Sequence, residues 1–130
     1  MGVFRWLTTV LLVLQAGFSG AEPVDHHGLQ VDPRAGAHAC IACHDGLIAT
    51  EAHYCMVNCS FRTPHPISVP YPSQDRDASY LPQDSLERAG IVLVDGKVVC
   101  VSCHNLNNPV RYHLVMDNAG SQLCYACHRK

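Results

Sequence analysis

The chain has 130 residues, with eight cysteines, nine histidines and a formal net charge of −2. This length allows one domain at most, and the near-neutral charge without a basic cluster excludes a nucleic-acid-binding surface. Large apolar residues are scarce, because Phe occurs once after Ala21 and Trp not at all. Such a chain buries only a modest core, so the fold needs a further source of stability: disulfides, metals or cofactors.

The N-terminal segment has the features of an export signal. Arg5 supplies a positive charge, and the apolar run from Trp6 to Leu14 is too short to span a bilayer. Small residues stand at the −3 and −1 positions of a cleavage site after Ala21. We therefore predict a signal peptide over 1–21, a mature domain over 22–130, a periplasmic or extracellular location and no transmembrane segment. An uncleaved anchor helix is the alternative.

Three identical units follow along the chain, each with two cysteines three residues apart and a histidine directly after the second. Two thiols at this spacing can form thioethers to the two vinyl groups of one haem, and the adjacent imidazole then ligates the iron. We therefore predict three haem c groups. The attachment residues are Cys40, Cys43, Cys100, Cys103, Cys124 and Cys127, and the proximal ligands are His44, His104 and His128.

Two other interpretations of the cysteines compete with haem attachment. A zinc ribbon uses paired Cys-x-x-Cys units, but zinc gives no reason for a histidine after every pair and leaves the third unit unexplained. A four-disulfide scaffold suits an exported chain, although adjacent pairs repeated three times are unusual for structural bridges. Cys55 and Cys59 have no following histidine, and we predict a local disulfide between them. A non-standard cofactor contact or an intermolecular bridge is the alternative for this pair.

The regular elements predicted between the units are short. The first unit lies in a segment of good helix formers, from Ala37 to His44, and the proline-rich stretch over 63–82 is mostly extended or turning. A helical turn is predicted over 85–88, ending at Gly90. Two β-branched runs flank Asp-Gly over 91–99, which predicts a β-hairpin that leads into the second unit.

The last part of the chain combines an extended piece, a turn and a helix. Val110 to Met116 is predicted to be extended, and a turn follows at 118–120. Ser121 is then a plausible N-cap for a short helix that carries the third unit. The fold class is thus a small multihaem cytochrome c with few short helices, mostly loops, and a core built on three stacked haems. Only 24 residues separate Cys100 from Cys124, so the second and third haems should be close in space.

The closely spaced second and third units resemble the doubled Cys-x-x-Cys-His motif of multihaem cytochromes c, in the group related to cytochromes c3 and c7. Three further strings are similar to the same family: Cys43-His44-Asp45-Gly46, His65-Pro66-Ile67-Ser68-Val69-Pro70-Tyr71 and Asp117-Asn118-Ala119-Gly120-Ser121. The resemblance implies electron transfer between protein partners, little regular structure and haems packed edge to edge.

One position departs from the family pattern. Related sequences often carry a histidine shortly after the second unit, in the order Cys-His-x-Pro-His, whereas here the residues from His104 to Pro109 include no further histidine. His113 is the nearest substitute for that distal ligand. The second haem is therefore the one whose distal ligand the sequence specifies least.

Six histidines remain as candidates for the second axial position of the irons. A second histidine closes the site for electron transfer, whereas an open position admits a substrate. We favour His65, because Pro66 fixes the backbone after it and the family string includes it, then His113, and then His27 or its neighbour His26. His38 and His53 are less favourably placed, and Met56 and Met116 are expected to pack rather than to ligate.

The sequence thus predicts an electron-transfer protein rather than an enzyme, acting as a carrier or relay through bis-His haems. Haem propionates would make it acidic, which favours redox partners with basic patches, such as other cytochromes or reductases. One alternative is a subunit of a homopolymeric extracellular filament, in which surplus N-terminal histidines ligate a neighbour's haem. The other is a haem reductase with one open iron.

Overall fold

The computed structural model describes residues 21–60, 62–73 and 77–129, so the predicted signal peptide lies, apart from Ala21, outside the described residues. Four short α-helices and two 3₁₀ turns alternate with long irregular segments. The helices are α1 (Ala37–Ile41), α2 (Gln83–Arg88), α3 (Cys100–Cys103) and α4 (Gln122–Tyr125), and the 3₁₀ turns are Arg111–His113 and Ala119–Ser121. The strands are β1 (Val24–His26), β2 (Leu29–Val31), β3 (Val69–Pro70) and β4 (Lys97–Val98). The prediction of few short helices and mostly loops is confirmed.

The N-terminal hairpin was not predicted from the sequence. β1 and β2 pair antiparallel, with Val24 opposite Val31, around a two-residue turn at His27 and Gly28. Both turn residues have positive φ, of 57° and 78°, as a type I′ turn requires, and glycine adopts this conformation without strain. The turn places two adjacent histidines at the tip of the hairpin.

The predicted hairpin over 91–99 is only partly correct. Asp95 and Gly96 do form a tight turn with positive φ, of 51° and 69°, but the pairing across it is limited to one bridge, between Val94 and Lys97. β4 pairs instead with β3 of the proline-rich segment. The residues before the turn do not continue the pairing with those after it, because the buried hydroxyl of Ser102 donates to the Val92 carbonyl at 2.6 Å.

Two predictions for the C-terminal part are wrong in detail. The segment expected to be extended over 110–116 contains the 3₁₀ turn Arg111–His113, and two consecutive residues there, Tyr112 and His113, have positive φ. Ser121 does precede α4, but it adopts a left-handed conformation and its hydroxyl makes no capping bond. The side chain of Asn118 accepts from the N–H of Leu123 instead, at 3.3 Å.

Helices α1 and α2 form where the sequence predicts them. α1 begins at Ala37 and carries the first cysteine of the first unit. α2 spans the predicted turn, is supported by an ion pair between Arg88 and Asp84 at 2.7 Å, and ends before Gly90, whose φ of 78° terminates the helix.

The hydrophobic core consists of two small clusters rather than one. In the described part of the chain, eight apolar side chains are buried. The first cluster joins the first two units through Ala37, Ile67, Val99 and Val101. The second centres on Tyr71, Leu86 and Ile91 and packs against the third unit. Neither cluster is large enough to organise some hundred residues, which agrees with the scarcity of apolar residues in the sequence.

Backbone hydrogen bonds hold the third unit against the segment before α2. The N–H of Leu81 donates to the Cys127 carbonyl at 2.8 Å, and the N–H of Arg129 donates to Ser79 at 2.7 Å. The buried Tyr71 hydroxyl lies between the two segments and is 2.8 Å from the Leu81 carbonyl and 3.1 Å from that of Cys127. Within the described residues, no helix is long and apolar enough to cross a membrane.

Tyr71→Phe should destabilise the protein in a pH-dependent way. Loss of the hydroxyl removes its hydrogen bond to the Leu81 carbonyl, whereas the Cys127 carbonyl keeps the N–H of Leu81 as a donor. The loss of this donor costs about 1–3 kcal/mol near neutral pH. Burial raises the pKa of Tyr71 from 10.0 to about 12. The unfolded chain therefore loses this proton first, and the contribution of the hydroxyl is lost as the pH rises from 10.0 to about 12.

Denaturant unfolding of the haem-loaded protein, followed by circular dichroism at pH 8 and at pH 11.5, measures this difference. Tyr112→Phe is the matched control, because the Tyr112 side chain is 63% exposed. An equal penalty for Tyr71→Phe at both pH values would contradict the assignment of the buried hydroxyl.

Candidate cofactor-binding site

The three Cys-x-x-Cys-His units share one backbone hydrogen bond. In each unit the N–H of the histidine donates to the carbonyl of the first cysteine, at 2.9 Å for His44, 3.0 Å for His104 and 2.9 Å for His128. A hydrogen bond from an N–H to the carbonyl four residues earlier is that of one α-helical turn. The two cysteine side chains of each unit therefore lie on the same side of the backbone. Three separate stretches of chain thus present the same arrangement of two thiols and an imidazole.

The thiols of these units are all free, and those outside them are not. The six unit cysteines carry no disulfide, whereas Cys55 and Cys59 are bonded, with their Cα atoms 5.7 Å apart. The predicted local disulfide is confirmed. The four-disulfide scaffold is not formed, and the free thiol pairs with an adjacent imidazole fit the donor set that haem c requires.

The first and second units are in direct contact although sixty residues separate them. α1 packs on α3, Cys100 packs against the buried cluster that contains Ala37 of α1, and the thiols of Cys40 and Cys100 are close enough to shift each other's pKa. This proximity raises the pKa of the Cys40 thiol and lowers that of Cys100 to about 7. No motif or spacing in the sequence predicts this proximity.

The second and third units also lie near each other. Burial, and then the nearby thiols of Cys127, Cys124 and Cys100, together raise the pKa of the Cys103 thiol to about 11. The cysteines of the two units are thus near each other, and the proximity of the second and third haems stays a prediction. The second unit stands between the other two, because α3 packs on α1 and the thiol of Cys103 is near those of Cys127 and Cys124.

Four histidines are oriented by the same kind of hydrogen bond. The Nδ1 atoms lie within hydrogen-bonding distance of backbone carbonyls: His44 with Thr50 at 2.9 Å, His65 with Pro66 at 2.9 Å, His104 with Tyr112 at 2.6 Å and His113 with Asn108 at 2.6 Å. A carbonyl can only accept, so Nδ1 carries the proton and Nε2 keeps its lone pair. This is how proteins prepare an imidazole to bind a metal.

A group of histidines surrounds the proximal ligand predicted for the first unit. The ligand nitrogens of His26, His27 and His44 all lie within 4.8 Å of one another. Burial, and then the neighbouring rings, of which His27 has the largest effect, lower the pKa of His26 from 6.5. The neutral imidazole, which is the metal-binding form, is therefore favoured. The hairpin β1–β2 thus brings the two adjacent histidines to the first unit.

The His65 ring lies near the ring of the third unit's histidine. The ring centroids of His65 and His128 are 6.5 Å apart. Two imidazoles on opposite sides of one metal ion, each with its nitrogen about 2 Å from the metal, have centroids roughly 6 Å apart. The His128 ring also lies 4.6 Å from the ring of Tyr80, which limits its rotation. This pair therefore has the spacing of two axial ligands.

The positions of the remaining candidate ligands do not assign them to one unit. The His113 ring lies 5.4 Å from that of His26, while its backbone carbonyl accepts from Asn105 beside the second unit. Among the described residues, no histidine ring packs against His104, and His38 and His53 are exposed without a ring partner. Met56 and Met116 each pack against one of the two core clusters, as predicted.

Sequence reasoning missed two features of this site. The proximity of Cys40 and Cys100 depends on the buried residues around Ile67, which no spacing rule indicates. The Nδ1 hydrogen bonds depend on carbonyls up to eight residues away, as for His104 and Tyr112. Neither has a local sequence signal, since both arise from the way the irregular segments fold back.

Comparison with known proteins gives one match. Residues 92–130 match the family described as "Doubled CXXCH motif", which covers the second and third units. No curated protein and no solved structure matches the chain. The doubled motif indicates covalently bound haem c and is consistent with a multihaem c-type cytochrome, a class whose typical function is electron transfer.

Proposed function

We propose that the protein is an exported trihaem cytochrome c that transfers electrons between protein partners. The observation that carries the proposal is the position of the second unit. Its helix α3 packs on α1, and the carbonyl of Cys103 accepts from the N–H of Val115, which packs against the same cluster as Cys127. Groups attached at neighbouring units would therefore be neighbours, in the order first, second, third. Haem c, when bound, supplies a one-electron iron couple at each unit.

The residues of the chain would hold each iron between two imidazoles. The proximal ligands would be His44, His104 and His128. The carbonyls of Thr50 and Tyr112 orient the rings of His44 and His104, respectively. We assign His65 to the third unit on its 6.5 Å spacing from His128. His27 or His26 is assigned to the first unit on the contact with His44.

His113 is assigned to the second unit on two observations. The carbonyl of His113 accepts from the N–H of Asn105, the residue directly after His104, at 2.6 Å. Its Nδ1 atom hydrogen-bonds to the Asn108 carbonyl. With every iron closed in this way, the work of the protein would be to position and tune the haems for partners that carry basic patches.

Haem loading and export are tested on the purified holoprotein. We expect a mature N-terminus at Glu22, a mass that includes three haems, and uptake of three electrons in a reductive titration. Replacing both cysteines of one unit with alanine should lower the haem content by one. Two haems in the wild type, or a retained N-terminus, would contradict the proposal.

His65→Ala should open the iron of the third unit. The reduced wild type, with all irons closed, should bind no carbon monoxide, and the variant should bind about one molecule per protein, with a corresponding loss of low-spin absorption. His53→Ala is the matched control, because His53 is exposed and contacts no other histidine ring. If the His65 variant binds no carbon monoxide, the pairing with His128 is wrong.

A haem reductase is the second candidate, and one observation favours it. No described histidine ring packs against His104, and a cavity of about 190 Å³ beside it is lined in part by Val101, Asn105 and Asn107. An open iron at the second unit would bind carbon monoxide in the wild type. That binding should persist in His65→Ala and be unaffected by His113→Ala, whereas the electron-carrier proposal expects His113→Ala to create it.

A further inference from the structure

The Cys55–Cys59 disulfide is the one cysteine pair that the haem units do not use. It closes a small ring around the exposed tip of a loop, where Val57 is 76% exposed. Cys55 itself is buried, with 8% of its surface exposed. A ring this short restricts the unfolded chain only slightly, so its entropic contribution to global stability is small. Its main effect is expected to be local.

The backbone of Cys55 holds His65 in place. The Cys55 N–H donates to the His65 carbonyl at 3.3 Å, and the Cys55 carbonyl accepts from the N–H of Ile67 at 2.8 Å. These two bonds form a bridge that brackets Pro66. Because proline has no N–H and a fixed φ, the two bonds and the ring together determine where His65 lies.

The core anchors both strands of this bridge. Ile67 is buried in the first cluster, and Tyr54 and Met56, on either side of the buried Cys55, pack against the same cluster. The described residues between Cys59 and His65 are exposed. The disulfide is therefore the covalent constraint on this exposed segment, because it joins Cys59 to the buried Cys55.

We propose that the Cys55–Cys59 disulfide is a positioning element for His65, and that opening it releases His65 from its place near His128. The inference rests on the proposed pairing of these two histidines at the third unit. The chain of contacts runs from the disulfide through the Cys55 backbone to His65, whose Nδ1 atom is held by Pro66 and whose ring is 6.5 Å from His128.

The test compares holoproteins that differ only in this loop. We expect Cys55→Ser combined with Cys59→Ser to retain three haems and to weaken His65 ligation by about 10- to 100-fold, as loss of a supporting residue typically does. Carbon monoxide binding, the low-spin absorption and the reduction potential of the third haem are the readouts. Val57→Ser, in the same loop with the disulfide intact, is the matched control.

A positioning role predicts a specific non-additivity. In a His65→Ala background, the two cysteine substitutions should change carbon monoxide binding no further, because the residue they act through is absent. Added imidazole should restore the low-spin spectrum in both variants. Full low-spin absorption in the cysteine variant without imidazole would overturn the inference, and so would additive effects in the combined variant.

Reduction of the disulfide in the folded, haem-loaded wild type separates the positioning role from a folding defect of the cysteine variants. A water-soluble phosphine cleaves the S–S bond and becomes the phosphine oxide, with water supplying the oxygen and the two protons that the sulfurs take up. After alkylation of both thiols, carbon monoxide binding should appear at one haem. Unchanged binding by the alkylated protein would contradict the inference.

The two proposals fail in different ways. If His65→Ala binds no carbon monoxide, the pairing with His128 is wrong and the inference falls with it. If His65→Ala opens the haem but neither the cysteine variant nor the alkylated protein does so, the pairing stands and only the positioning role is wrong.

Discussion

The contact between α1 and α3 is the constraint on which the rest of the structure depends. Ala37, Ile67, Val99 and Val101 form its buried part, and they bring two cysteine pairs together across sixty residues of irregular chain. Without this contact the first unit and its hairpin would have no fixed relation to the others. A cluster of four small or medium side chains is a weak anchor. The fold is therefore expected to rely on the groups that its free thiols bind.

Backbone carbonyls, rather than other side chains, prepare the imidazoles. Four histidines use a carbonyl from an irregular segment to fix the proton on Nδ1. Helices and strands consume their carbonyls internally, whereas loops have them to spare. The low content of regular structure is thus a source of ligand-orienting groups, and it explains why a chain with so many turns can still hold several imidazoles in defined orientations.

The sequence predicted those features that depend on local chemistry. The three units, the bond between Cys55 and Cys59, the helix ending before Gly90 and the turn at Asp95 and Gly96 all follow from residue type and spacing. Residue type and spacing did not predict the strand partner of β4 or the conformation of 110–116. Both depend on which distant segments compete for the same backbone groups. The buried hydroxyl of Ser102 takes the carbonyl of Val92 and so prevents a regular hairpin, which no local pattern shows.

The burial of Cys103 has a consequence for the order in which the protein is made. The residue is only partly exposed, the thiols of Cys127 and Cys124 are near enough to raise its pKa, and the segment around Leu81 is bonded to the third unit through its backbone. A macrocycle much larger than a side chain reaches such a sulfur more easily while these segments are apart. Thioether formation at the second unit is therefore expected to come before the segments pack, so that cofactor attachment and folding follow one another in a set order.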